Sequence, residues 1–143
     1  MDVKLKAFTE ATTSFAYLAR LDMAQLQIKL QDDLLVDGLQ NGCAQKFEYT
    51  TELCWKAIKV HLAKVEGIDE VSPKKVIKAY YLTGAISEPY YLLLLEAIED
   101  RNRLSHVYDS AAFSEIFSRM TAYAALFERV GALLTDSQPS KGV

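Results

Sequence analysis

The sequence predicts an all-α protein, an antiparallel helical bundle of about five helices. Apolar residues recur at spacings of three and four through most of the chain. Only six glycines and three prolines interrupt its 143 residues. No segment shows the alternation of a half-buried strand. One domain over residues 1–134 is long enough to bury a core. The serine-rich segment 135–143, with Pro139 and Gly142, reads as a disordered tail.

The elements follow in order. Leu5, Phe8, Phe15, Ala19, Met23, Leu26 and Leu30 mark a long first helix, free of glycine and proline before Gly38. The Asp32-Asp33 pair and the Asp37-Gly38 and Asn41-Gly42 dipeptides then predict a loop or a weakened helical start. A second helix is expected from Cys43 to Glu66, ending at Gly67. Its stripe is Cys43, Phe47, Thr50, Cys54, Ile58, His61 and Val65, widened by Trp55 and Leu62. Ser72 as N-cap and Pro73 in the first turn open a short third helix, carrying Val76, Ile77 and Tyr80 to Gly84. Ser87, Glu88 and Pro89 start the fourth, which holds Leu94, Leu95 and Ile98 before Arg101. Asp109 or Ser110 caps the last, whose stripe runs Phe113, Ile116, Phe117, Met120, Ala124, Phe127, Val130 and Leu134.

Composition narrows the function. Half the residues are apolar and 24% are charged, as in ordinary soluble proteins. A net charge of −3 argues against a broad nucleic-acid footprint, which needs a basic face, but leaves room for a compact site handling one phosphate. Cys43 and Cys54 share one helical stretch, which disfavours a zinc site or disulfide framework and casts them as small buried hydrophobes. The N-terminus lacks a basic segment followed by an apolar one, and no apolar run approaches the ~20 residues of a membrane span. The chain therefore reads as cytoplasmic.

Chemistry concentrates in Asp100-Arg101-Asn102-Arg103-Leu104-Ser105-His106-Val107-Tyr108-Asp109. Guanidinium groups grip phosphate in a forked geometry, and histidine changes charge near neutral pH. Together they suit work on a phosphodiester or nucleotide; the plainer alternative is the solvated end of a helix. On a regular helix Arg101 and His106 diverge by roughly 140°. They converge only if the helix ends or bends between them, or if one site draws on two chains. Ser105 and Asp109 can bond the local backbone and so favour a break there.

RNA cleavage by the neighbouring 2′-hydroxyl needs a base, an acid and positive charge on the crowded phosphate. A histidine near pKa ~6.5 serves as either base or acid, arginine stabilises the phosphorane, and no metal or other cofactor is required. One histidine cannot hold both protonation states, and His61 lies far off on an apolar stripe. A two-fold dimer pairing two copies of His106 would resolve this.

Other features are weaker. His61 reads as a satisfied core or interface histidine. Glu48 and Glu52 read as surface charges beside Lys56 and Lys59. Lys74, Lys75 and Lys78 form a small basic cluster that is ordinarily just solvated. Tyr80, Tyr81, Tyr90 and Tyr91 bracket a turn, and core packing is their default role. Without a Gly-rich phosphate loop, a metal-ligand cluster or a serine triad, the chain is not a nucleotidyltransferase by itself.

Arg101, four intervening residues, His106, one residue and Tyr108 have the R-x4-H-x-Y form of the HEPN superfamily. More narrowly, the chain resembles the small proteins encoded beside minimal nucleotidyltransferases, described as nucleotidyltransferase substrate-binding subunits or as HepT-like toxins. Gln45-Lys46-Phe47-Glu48-Tyr49-Thr50-Thr51-Glu52-Leu53-Cys54-Trp55-Lys56 is similar to that family's "QRFEFTxELAWK", and Ser72-Pro73-Lys74-Lys75-Val76-Ile77-Lys78-Ala79 to its "SPREVIRxA". The three segments lie in the family's order, and the resemblance spans residues 3–134. It weakens before Cys43, where the family runs more smoothly into its second helix.

The resemblance implies a homodimer with a composite site at its interface, Arg101 and His106 being catalytic. It implies a metal-independent endoribonuclease of toxin type, held in check by a separately encoded minimal nucleotidyltransferase. Asn102, Arg103 and Ser105 would support the site, and Asn102 would orient histidine or phosphate. Tyr108 would be the control point, adenylylated by the partner; its plainer role is a half-buried aromatic. The alternative is a non-catalytic subunit presenting a substrate or nucleotide to the same transferase. A bare helical scaffold ranks third.

Overall fold

A computed structural model describes residues 2–106 and 109–138. Among these it shows seven α-helices, α1 (Val3–Ala19), α2 (Met23–Leu30), α3 (Asp33–His61), α4 (Pro73–Leu82), α5 (Glu88–Leu104), α6 (Ser110–Phe117) and α7 (Met120–Asp136), and no strand. The expectation of about five helices is thus corrected to seven. The first and last expected helices each break in two, because an apolar period can continue across a short break.

Asp2 caps α1, its Oδ1 accepting from the Lys4 and Leu5 amides at 2.8 and 3.3 Å. The first break comes at Asp22, which caps α2 by accepting from the Gln25 amide at 3.0 Å. α2 ends at Gln31, in the left-handed region at φ 49°, and contains no fully buried residue. The predicted loop near residue 37 is absent. Asp32 caps α3 instead, accepting from the Leu35 amide at 3.1 Å, and the helix runs for 29 residues through Gly38 and Gly42. A glycine inside a helix costs about 1 kcal/mol relative to alanine. The extended backbone ladder and the packing of the following turns outweigh that here.

α3 ends near Gly67 as predicted, although its last turn, Leu62–Glu66, widens to a π-helical form before Gly67 closes it at φ 67°. Pro73 opens α4, but the hydroxyls of Ser72 and Ser87 make no capping hydrogen bond. Asp109 caps α6, accepting from the Ala111 amide at 2.9 Å. The expected last helix is interrupted at Ser118–Arg119, where Arg119 turns its side chain toward α5.

α1 is the central strut, packed along α3 and α7. Along α1 and α3 the pairings run in opposite order: Asp2 with Lys64, Ala11 with Thr50, Phe15 with Phe47. The core is aromatic. Phe47 stacks on Tyr123 with centroids 4.9 Å apart, and Phe8 meets Phe127 edge-on at 6.0 Å. Cys43 and Cys54 are buried free thiols; burial raises Cys43 to about 11 and Cys54 further. Among the described residues no helix is long and apolar enough to cross a membrane.

Candidate functional site

α5 is held over the bundle by Leu94, Ala97 and Ile98. That anchoring turns Asp100 inward, where it is only 2% exposed. Arg119 donates to both of its oxygens, Nε at 2.8 Å and Nη2 at 2.9 Å, and the Tyr123 hydroxyl donates to Oδ2. Tyr123 also lies 3.2 Å from Glu96. The Asp100 carboxylate raises the pKa of Arg119, while burial first and that carboxylate second raise the Tyr123 phenol. This clamp fixes the end of α5 against the α6–α7 junction.

One residue on, Arg101 faces outward and toward α3. Its Nη2 lies 3.2 Å from Glu52, which also pairs with Lys56 at 3.4 Å. Its Nη1 donates to Asn102 Oδ1 at 3.4 Å. Its Nε is buried without a partner among the described residues, as is the indole nitrogen of Trp55. Arg103 turns the other way, toward Asp100 at 3.5 Å and Glu115 at 3.8 Å.

α5 stops at Leu104, with Ser105 as C-cap. The His106 amide donates to the Arg103 carbonyl at 2.9 Å in a tighter turn, and the imidazole is exposed. The helix therefore ends between Arg101 and His106, so the 140° divergence of a regular helix does not govern the pair. The structure groups Arg101 with Asn102, directs Arg103 to the clamp and leaves His106 on the turn beyond. Tyr108 lies outside the described residues.

Sequence reasoning gave Glu52 only a surface role and passed over the pairing of Asp100 with Arg119 and Tyr123. Arg119 carried a signal, being a charge inside an apolar stripe. Glu52 carried one only in its segment's likeness to a family motif. His61 is buried as expected but not satisfied: its Nδ1 has no partner among the described residues, its ring meets Tyr80 edge-on at 5.7 Å, and burial lowers its pKa. Tyr81 and Tyr91 stack on each other at 4.5 Å, and Lys74 pairs with Glu99 at 3.1 Å. Among the described residues no His, Cys, Asp and Glu side chains gather into a metal-binding cluster.

The family model described as nucleotidyltransferase substrate binding protein like matches residues 5–136, a range that contains all three motif segments. A crystal structure of a protein from Thermus thermophilus is similar at TM-score 0.76 and 29% identity, covering 89% of this chain and 98% of that one. No curated protein shows significant similarity.

Proposed function

The chain belongs to the nucleotidyltransferase substrate binding protein like family, and on that premise we propose that it is the partner subunit of a separately encoded minimal nucleotidyltransferase and cleaves RNA without metal. The observation that carries this reading is the end of α5 between Arg101 and His106. It keeps the guanidinium fixed near α3 while freeing the imidazole from the helix.

In the reaction, the 2′-oxygen attacks phosphorus as one histidine takes its proton. The bond to the 5′-oxygen breaks as a second histidine supplies a proton to it, leaving a 2′,3′-cyclic phosphate. Arg101 stabilises the charge on the phosphorane, and Asn102 holds the guanidinium. A homodimer supplies the second His106. Adenylylation of Tyr108 would add bulk and negative charge to the motif segment and close the site.

The net charge of −3, which gives RNA no broad basic face, favours the second reading, a non-catalytic subunit that binds a substrate or nucleotide. In either reading Glu52 occupies one edge of Arg101, so an incoming phosphate must compete with it. RNA cleavage in EDTA separates the two. In the nuclease, Arg101→Ala and His106→Ala each lower the rate by about 10²-fold or more, and the wild-type product carries a cyclic phosphate. Folded wild-type dimer that leaves varied RNAs intact makes the binding subunit the function.

A further inference from the structure

Between the N-terminal half of α3 and the start of α6 lie two adjoining open depressions of about 380 and 340 Å³, which share Asn41 and Phe113. Each falls within the ~300–1,000 Å³ that small-molecule sites occupy. The groove abuts the motif. Leu104, the last residue of α5, and Asp109, the cap of α6, line it on that side. Glu48, also in its wall, sits one helical turn, about 6 Å, before the Glu52 that holds Arg101.

Its chemistry differs from that of the motif. Among the described residues, no lysine, arginine or histidine lines either depression, so neither suits a phosphate. Their polar walls hold the side-chain amides of Gln40, Asn41 and Gln45 and the carboxylates of Asp37 and Glu48. Asn41 donates to Asp37 at 3.1 Å, which holds that amide in place. Phe113 lines both depressions, its ring stacked against Phe117 with centroids 5.8 Å apart. Amides match the mixed donor and acceptor edge of a base, carboxylates accept from amino groups, and an aromatic ring offers a stacking surface.

We propose that this groove is a nucleobase subsite. It takes the base of a ribonucleotide whose phosphate lies at Arg101, and it prefers guanine, adenine and cytosine, which carry an exocyclic amino group, over uracil. Only the placement of the phosphate rests on the function proposed above; the preference among bases rests on the lining of the groove.

Calorimetric titration of the full chain with the 5′-monophosphates of guanosine, adenosine, cytidine and uridine tests this. The three amino-bearing nucleotides are expected to bind about tenfold tighter than uridine monophosphate. Phe113→Ala weakens all four by about tenfold. Glu48→Gln, on a part-exposed helix face, leaves the fold intact and narrows the preference, because the glutamine keeps one acceptor oxygen and Asp37 keeps its carboxylate. Arg101→Ala weakens all four alike and preserves their order. Equal affinity for all four bases, or a preference undiminished in Glu48→Gln, overturns the subsite. So does conversion of a dimer to a monomer by Phe113→Ala and Glu48→Gln with nucleotide binding untouched, which assigns the groove to a second copy of the chain. RNA cleavage that depends on Arg101, with base preference undiminished in Glu48→Gln, removes the subsite and leaves the nuclease. Base-selective binding with no cleavage by any form removes the nuclease and leaves the subsite.

Discussion

Asp100 is buried, bonded to its neighbours and structural, whereas Arg101, the next residue, is part-exposed and incompletely paired. Asp100 receives both prongs of Arg119 and the Tyr123 hydroxyl at 2% exposure. Arg101 keeps one nitrogen near Glu52 and another without a partner among the described residues, with its side chain 35% exposed. A single turn of α5 thus separates what holds the molecule together from what is free to meet a ligand. Saturated groups cannot bind anything new without first breaking a buried bond. The part-exposed Nη edge of Arg101, held only by Glu52 and a 3.4 Å contact to Asn102, can.

Breaking the clamp should have the largest effect. Arg119→Ala leaves the buried Asp100 carboxylate with only the Tyr123 hydroxyl and the 3.5 Å contact to Arg103, and removal of one partner of a buried pair costs about 3–5 kcal/mol. Urea unfolding measures it. A loss below about 1 kcal/mol would mean that the clamp is no more structural than a surface pair. Tyr123→Phe deletes one charge-assisted hydrogen bond while keeping the stacked ring, and should cost about 2 kcal/mol in the same assay.

His61 sharpens the contrast from the other side, being buried yet unpaired at Nδ1 among the described residues. Burial lowers its folded pKa below the ordinary 6.5. The unfolded chain therefore takes up a proton below about pH 6.5 that the folded chain refuses. Stability should be fully present above that pH and fall as pH drops below it, by at most ~1.4 kcal/mol per unit for one proton. Unfolding midpoints from pH 7.5 to 5.5 measure this, and His61→Phe should flatten the slope. A slope that survives the substitution assigns the effect to another group.

The smallest stability effect belongs to the site itself. Arg101→Ala removes a part-exposed ion pair and should change the unfolding free energy by less than about 1 kcal/mol while lowering the proposed RNA cleavage by about 10²-fold or more. A large destabilisation would erase the distinction between the two sides of α5.

Much of this was legible locally. The stripes of α1, of α3 from Cys43 to His61 and of α7 are buried as read, whereas Val65, expected on the same stripe, is exposed; burial on one helix face imposes its period on the sequence. Gly67 closes α3 and Asp109 caps α6 because capping needs only adjacent residues. The errors were also local. Asp22 and Asp32 offered capping oxygens, but the apolar period across the first outweighed it, and the Asp-Gly and Asn-Gly dipeptides suggested a turn where α3 stays helical. Isolated glycines lower helical stability without forbidding the helix.

The sequence by itself determined the all-helical class, the faces that pack and the Arg101, Asn102, Arg103 and His106 inventory, since periodicity and side-chain chemistry are properties of short segments. Only the tertiary structure decided that Asp100 meets Arg119, that Glu52 of α3 meets Arg101 of α5, and that α3 and α6 flank an open groove beside them. Each of those pairings joins helices distant along the chain, and the docking of buried faces, which no short segment encodes, brings them together.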